Sequence, residues 1–443
     1  MRAVRFALFL AAVSGLTTSA NGQSGGFFPG GLSGRVVFSV ALWGDRVYAG
    51  TDDGVFVHPS LQFGDTLWTP VGLQGKTVRT VYPHQSGAIG YALTAGIDLR
   101  AGSGDSVLVY CSNNSDTAWT PSDEGIDRSI VRVIKSIDGF PSPLICGETY
   151  AASEGLIYRR TIGGIWEKVF DMGIVVTNLV SVDDATNKVW TGGETAIFAP
   201  FVSRSSDKGN TWATSFPDLQ GDNACHSLAF DPGDTSVVYA GMEGSVIVSR
   251  DGGSSWQPSG LSGTPVYFRS LTINPADQRI YAGGIAQGSE FALYSAIHGD
   301  TSWTEIIPPQ PYAGILSMLC LPTAPGEGLL LLGTFGDGIV VYRHPVTTVR
   351  AGPESPGFRL LRSYPNPFNP SATIEFSVLS RGKTTLRIFD MLGREVCTLF
   401  SGVTDAGKVY QVTFRAESLA SGAYFYLLHS GNSRTVGKLI LEK

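Results

Sequence analysis

Charge and cysteine are both scarce in this chain. Only 16% of its 443 residues are Asp, Glu, Lys or Arg, and the formal net charge is −6. No basic stripe breaks that mildly acidic balance, so nucleic acid is not an expected partner. The five cysteines, Cys111, Cys146, Cys225, Cys320 and Cys397, are odd in number and irregular in spacing. A disulfide framework is not expected, although one pair stays open; most read as buried free thiols. The six histidines, His58, His84, His226, His298, His344 and His429, show no metal-ligand spacing, so neither metal nor cofactor is expected. No apolar run is long enough to cross a bilayer as a helix, which takes about 20 residues. Long helical periodicity is missing too.

Turn formers and aromatics are plentiful instead. The chain has 55 Gly and 24 Pro, and 11% of it is aromatic. Many turns without helical periods indicate an all-β protein, and the length exceeds one typical domain. At the start, Arg2 and Arg5 precede an apolar stretch from Phe6 to Leu16, then small residues through Ala20 and Gly22. This pattern predicts a secretory signal peptide over 1–22, cut after Ala20 or Gly22.

Six tryptophans recur at intervals of 44 to 51 residues: Trp68, Trp119, Trp166, Trp212, Trp256 and Trp303. Such a period fits propeller blades of four strands. Two copies carry a fuller pattern. Ser205, Asp207, Gly209 and Trp212 match Ser249, Asp251, Gly253 and Trp256 in spacing. Both resemble the Asp-box, or BNR, repeat of the sialidase and sortilin-like propellers. The Asp can accept bonds from backbone N–H groups ahead of it, and the Gly can take positive φ. A structural turn is the expected role, with the tryptophan folded into the core between blades. The copy ending at Trp119 keeps Ser112 and Asp116 but shifts the acid, and the copies at Trp68, Trp166 and Trp303 vary the turn.

Inner strands are expected to start near Val37, Val78, Val131, Asn178, Cys225, Phe268 and Leu316. The seventh unit has only three strands before the pattern stops. Phe27-Phe-Pro-Gly-Gly-Leu-Ser-Gly34 parallels Trp256-Gln-Pro-Ser-Gly-Leu-Ser-Gly263, so the N-terminal segment is expected to supply the missing strand. The expected architecture is all-β: a seven-bladed β-propeller over 24–345 with N-terminal strand closure, a linker over 346–358, and a small C-terminal antiparallel β-sandwich over 359–443.

That last segment opens with Tyr364-Pro-Asn-Pro-Phe-Asn-Pro370, where three prolines enforce an extended entry. Alternating runs follow. Ile374, Phe376 and Val378 share one face with Glu375 and Ser377 on the other, and Tyr410, Val412 and Phe414 alternate with Gln411, Thr413 and Arg415. With Asp390-Met-Leu-Gly-Arg-Glu-Val396, Ala420-Ser-Gly-Ala-Tyr-Phe-Tyr426 and Lys438-Leu-Ile-Leu-Glu-Lys443, the segment resembles the type A C-terminal sorting domain of the bacterial type IX secretion system. The resemblance implies that the partner is that secretion machinery and that the protein is secreted or held at the outer-membrane surface, via the periplasm.

Candidate ligand-binding residues fall near one face of the ring. Basic residues stand at entries to inner strands: Arg79, Arg132 and Arg269, with His226 equivalent. Acids flank second strands: Asp52 and Asp53, Glu148, Glu194, Glu243 and Asp337. They could form a cationic site for an anion, or a carboxylate pair for glycoside hydrolysis. Equally, they could serve hairpin turns and structural ion pairs. Known Asp-box propellers include sialidases and xyloglucanase-type glycosidases, but the sialidase Phe-Arg-Ile-Pro motif is missing; Phe268-Arg-Ser-Leu271 lacks its proline. The repeat also resembles that of the single-propeller assembly factors of photosynthetic membranes, which lack such a tail. The favoured expectation is a non-catalytic surface module for an extracellular glycan or protein ligand, with an extracellular polysaccharide hydrolase as the alternative.

Overall fold

The computed structural model describes residues 26–60, 67–86, 90–102, 106–113, 117–140, 148–160, 164–173, 175–217, 224–274, 279–321, 327–345, 358–364, 366, 368–378, 381–390, 394–417, 419–430 and 433–442. The expected leader, Asp116, Cys146 and most of the linker lie outside them. The chain forms two compact units that divide between Thr347 and Thr348.

The first unit is all β, in a propeller-like arrangement of four-stranded antiparallel sheets. The first strands of successive sheets are Val37–Trp43, Val78–Ser86, Ser136–Gly139, Val175–Asp183, Cys225–Phe230, Val266–Asn274 and Ile315–Leu321. In six sheets the other three strands follow in chain order. In the seventh, Ile315–Leu321, Glu327–Thr334 and Ile339–Pro345 are joined by Gly26–Gly31, with Phe27 opposite Tyr342 and Phe28 opposite Val341. Phe27 stands where a tryptophan would, and packs on Phe291 at 5.7 Å, Tyr312 at 6.2 Å and Tyr342 at 4.7 Å.

Three second strands read Tyr-Ala-Gly, at Tyr48, Tyr239 and Tyr281, and the glycine has a steric reason. A Cβ on Gly241 would lie 2.4 Å from Ser227 Oγ and 2.7 Å from the Phe268 carbonyl of the next sheet. The glycine therefore lets the neighbouring first strand lie flush. Hydroxyls on the first strands then bond across. Ser39 Oγ accepts from Val81 N (3.1 Å), Thr80 Oγ1 from Ile137 N (3.2 Å), and Ser270 Oγ from Met318 N (3.0 Å), while Ser227 Oγ donates to Phe268 O (2.9 Å).

The outer edges are joined by the repeat tryptophans. Trp119 Nε1 donates to Val71 O (2.8 Å), Trp166 to Ser122 O (2.7 Å), Trp212 to Val169 O (2.8 Å), Trp256 to Ser215 Oγ (2.9 Å) and Trp303 to Ser259 O (3.0 Å). Each acceptor belongs to the preceding sheet. Trp166 is fully buried, but Trp212 and Trp256 are only half-buried, so the indoles cap the sheet junctions rather than fill them.

One first strand begins later than expected. Val131 starts no strand in the third sheet, whose first strand is Ser136–Gly139. Val133 instead bridges to Asp98, and Ile134 N donates to Ile97 O at 3.0 Å. The apolar residues Val131, Val133 and Ile134 are used to pack against the end of the second sheet. Cys111 and Cys225 are buried free thiols, Cys397 is a half-buried free thiol, and Cys320 is half-buried.

The second unit has two sheets, one of Phe358–Tyr364, Ser371–Val378 and Val409–Arg415, the other of Glu395–Thr404, Gly382–Phe389, Gly422–Ser430 and Ser433–Leu441. Ile374, Phe376, Leu386, Ile388, Phe414, Leu428 and Leu439 are among its core residues. Glu375 and Ser377, on the face opposite Ile374 and Phe376, are buried as well, on the central strand of their sheet. Glu375 Oε2 accepts from Tyr364 Oη (3.0 Å) and Gln411 Nε2 (2.7 Å). The opening and closing motifs of the segment meet. Phe368 N donates to Ile440 O (2.8 Å), Glu442 N to Phe368 O (3.0 Å) and Ile440 N to Asn366 Oδ1 (2.8 Å).

Candidate functional site

One feature recurs at the start of the first strands. Pairing with the second strand slips between Val37 and Ser39, Val78 and Thr80, Thr177 and Leu179, Cys225 and Ser227, Tyr267 and Ser270, and Ile315 and Ser317. Bulges of this kind re-aim the unpaired side chain. The residues so displaced include Phe38, Arg79, Asn178, His226, Arg269 and Leu316. In the third sheet Lys135 holds the corresponding place, just before Ser136, the first paired residue.

These side chains meet neighbour to neighbour. The Arg79 guanidinium lies 4.3 Å from the centre of the Phe38 ring. Lys135 Nζ donates to Thr177 O (2.9 Å) and Asn178 Oδ1 (3.3 Å), and Asn178 Nδ2 donates to Cys225 O (3.1 Å). Arg269 Nη1 donates to His226 Nδ1 at 3.0 Å, and its guanidinium lies 5.6 Å from the Tyr267 ring. A guanidinium can only donate, so Nδ1 is unprotonated and Nε2 carries the hydrogen directed at Glu243 Oε1, 3.0 Å away. His226 is thus a neutral tautomer locked between a cation and a carboxylate.

Electrostatics link these side chains across sheets. Burial pushes the Lys135 ammonium down to about 8; Glu154 and Glu194 oppose this while Arg100 and Arg79 add to it. Burial also lowers Arg79, with Asp98 opposing and Arg100 and Arg269 reinforcing. Burial, then the charge of Glu243, raises Glu194, while Lys135 and Arg269 pull it back. For His226, burial outweighs Glu243 and holds the imidazole below its usual range. At the rim, Arg100 pairs with Asp98 and Glu154, each at 2.9 Å.

Of the residues expected from sequence, Arg79, Arg269, His226, Glu194 and Glu243 are brought together. Arg132 is not: its side chain is exposed while its carbonyl accepts from Leu99 N at 2.9 Å. Glu148 sits at the other end of its strand, because it precedes Thr149–Ala152 rather than following it, and pairs with Lys208 at 2.9 Å. Glu154 follows that strand and takes the rim position. Asp53 pairs with Arg35 at 2.7 Å, and Asp337 Oδ2 accepts from Ala313 N. Lys135, the main residue missed, had a readable signal. It precedes a hydroxyl residue, as do Phe38, Arg79, His226, Arg269 and Leu316.

The two fuller tryptophan motifs are turns. Asp207 Oδ1 accepts from Thr211 N (2.8 Å) and Ser205 Oγ (2.8 Å), and Oδ2 from Thr211 Oγ1 (2.6 Å). Ser205 Oγ in turn accepts from Gly209 N at 2.7 Å. Asp251 repeats this with Ser255 N (2.9 Å), Ser249 Oγ (2.8 Å) and Ser255 Oγ (2.6 Å), and Gly253 N donates to Ser249 Oγ (2.7 Å). Gly209 and Gly253 have φ of 90° and 85°. Those bonds hold the Asp207 carboxyl down at about 2 and Asp251 lower still.

A separate cavity of about 490 Å3 is lined in part by Asp123, Arg128 and Arg160. It is not the better candidate. Its buried carboxylate, Asp123, is already held by Arg128 at 2.6 Å and by Leu108 N at 2.8 Å. Among the described residues no cluster suits a metal ion, and no helix is long and apolar enough to cross a membrane.

Residues 362–442 match the profile of the secretion system C-terminal sorting domain. That segment is therefore a sorting domain of the type IX secretion system, and it implies interaction with the secretion machinery and secretion or surface attachment. Among solved structures, the chain is similar to PorZ, described as an essential bacterial surface component of the type-IX secretion system of Porphyromonas gingivalis. Identity is 14% and the TM-score 0.50, over 94% of this chain and 60% of that one. The chain thus spans about 60% of that relative's length. A chain of the mitotic checkpoint complex matches with 12% identity and a TM-score of 0.50, over 74% of this chain and 95% of that one. No curated protein sequence matches. At these identities the likeness concerns the fold.

Proposed function

We propose that this is a secreted or surface-attached β-propeller of the Asp-box class that binds a ligand without catalysis, at the mouth ringed by Arg79, Lys135, Asn178, His226 and Arg269. Seven sheets close into one ring, with residues 26–31 as the outer strand of the last. Supporting that ring, Val37–Trp43 packs on Ile315–Leu321, and the Cβ position of Gly333 lies 2.9 Å from Val37 Cγ1. The turn geometry of Asp207 and Asp251 supports the Asp-box assignment.

The observation that carries the binding site is the set of bulged first-strand residues. Bulges weaken a sheet locally, and here four of the six present a polar side chain, Arg79, Asn178, His226 and Arg269. The hydrolase alternative draws no support from the sorting domain or from the two solved structures. Glycan-array binding of the purified mature protein tests the reading, with Arg269→Ala and Glu243→Gln as probes of the mouth. Binding that these substitutions abolish is expected. Glycosidase turnover, or binding indifferent to every mouth substitution, overturns it.

A further inference from the structure

Among the described residues, three cations of the mouth have no carboxylate in contact. Among the described residues, the Arg79 guanidinium makes no hydrogen bond or ion pair; only the Phe38 face meets it. Lys135 Nζ bonds only to neutral oxygens, those of Thr177 and Asn178. Arg269 bonds to neutral His226, and its Nε is buried with no acceptor. An unpaired, half-buried cation is costly, and three that repel one another are more so. The acids at hand do not relieve this by contact. Asp98 and Glu154 are held by Arg100 at the rim, and Glu243 is turned to His226. Glu194 makes no hydrogen bond or ion pair among the described residues.

Around the mouth, Arg79, Lys135, Arg269 and Arg100 face Asp98, Glu154, Glu194 and Glu243, so the charges balance overall while three of the cations keep unused donors. A singly charged anion can take those donors at a smaller cost in repulsion than a dianion. Guanidinium forks match the planar, two-oxygen geometry of a carboxylate. Tyr267, 47% exposed beside His226 and Arg269, offers a flat apolar surface on which a sugar ring could lie.

Resting on the binding reading above, we infer that the mouth takes a carboxylated sugar, a uronate, whose carboxylate is gripped by Arg79, Lys135 and Arg269. The bound carboxylate would accept hydrogen bonds from the free guanidinium edges and add a partner for the ammonium of Lys135.

Calorimetric titration of the mature protein with D-glucuronate, methyl glucoside and glucose 6-phosphate tests this. Glucuronate should bind, and bind at least tenfold more tightly than either of the others. Arg79→Gln should weaken glucuronate binding about tenfold or more, about 1.4 kcal/mol. Because that variant could misfold, the wild type supplies a second arm. Raising the pH from 7 to 9.5 removes the Lys135 proton while the guanidinium groups of Arg79, Arg100 and Arg269 keep theirs and His226, held below its usual range, stays neutral; Glu154 and Glu194 also face this ammonium. Affinity should fall several-fold. Equal or better binding of methyl glucoside at the mouth overturns the uronate assignment and leaves the binding reading intact. Tighter glucose 6-phosphate binding, or glucuronate binding unchanged at pH 9.5, also overturns it. If no saccharide of any charge binds on the array or here, the binding reading falls as well.

Discussion

The indole of Trp68 donates to the carbonyl of Gly30 at 2.7 Å. Trp68 opens the outer strand of the first sheet, and Gly30 lies in the N-terminal strand that completes the last. The same indole-to-preceding-sheet bond is made by the five later tryptophans, which supports the closure proposed above.

Trp68→Phe should therefore keep most of the packing and lose about 1 kcal/mol, the usual net worth of one hydrogen bond. Gly30→Val should cost more, since its Cβ would lie 2.6 Å from Ile339 Cγ2. Thermal unfolding of the mature protein reads both. Unchanged melting temperatures would argue against a stabilising role for the N-terminal strand.

Acid should act through the turns. The Asp207 carboxyl is held below its ordinary value by Thr211 and Ser205, at about 2. A depressed carboxyl stabilises the fold above its unfolded value and loses that contribution as pH falls through the folded one. Asp207→Ala should lower the melting temperature at pH 7, and the gap to wild type should close between about pH 4 and 2. A gap that stays constant on acidification would remove the carboxylate from the account.

Alkali should act oppositely on Lys135. Its folded value of about 8 lies under the ordinary 10.5. The cost of holding it charged is fully present below pH 8 and is relieved as pH rises toward 10.5. Lys135→Met should therefore be at least as stable as wild type at pH 7, and its advantage should shrink above pH 8. Denaturant titration at pH 7 and 10 measures this; a strongly destabilised variant at pH 7 would mean that the bonds to Thr177 and Asn178 outweigh the burial.

Deleting residues 359–443 should leave a folded first unit that stays in the periplasm, because the sheets form their own core and the address lies in the tail. Asn366→Ala should remove the cap on Ile440 N at a cost of about 1 kcal/mol and reduce export. Fractionation of a native host expressing the variants decides the point. Efficient surface display of the truncated form would refute the assignment.

Much of this was legible in the residues. The tryptophan period works as a signal because each indole must reach one fixed acceptor on the preceding sheet, so its spacing cannot drift far. The tail's alternation works because Ile374, Phe376 and Phe414 all face one core. The failures share a cause: sequence gives the order of residues along a hairpin but not its ends in space. Glu148 and Glu154 both flank Thr149–Ala152, and only the pairing reveals which is at the mouth. Lys135 was hidden by Val131, Val133 and Ile134, whose alternation mimics a strand of its own sheet.

The pairing of Phe368 with Leu441 also sets an order of events. Asn366 and Ile440, joined by a hydrogen bond, are 74 residues apart. A chain crossing the inner membrane N-terminus first delivers the sheets of the first unit well before residue 440. The sorting fold cannot be finished until that late residue has emerged. Completion of the sorting fold therefore waits on its last strand, and a chain truncated before residue 440 is expected to lack a finished address.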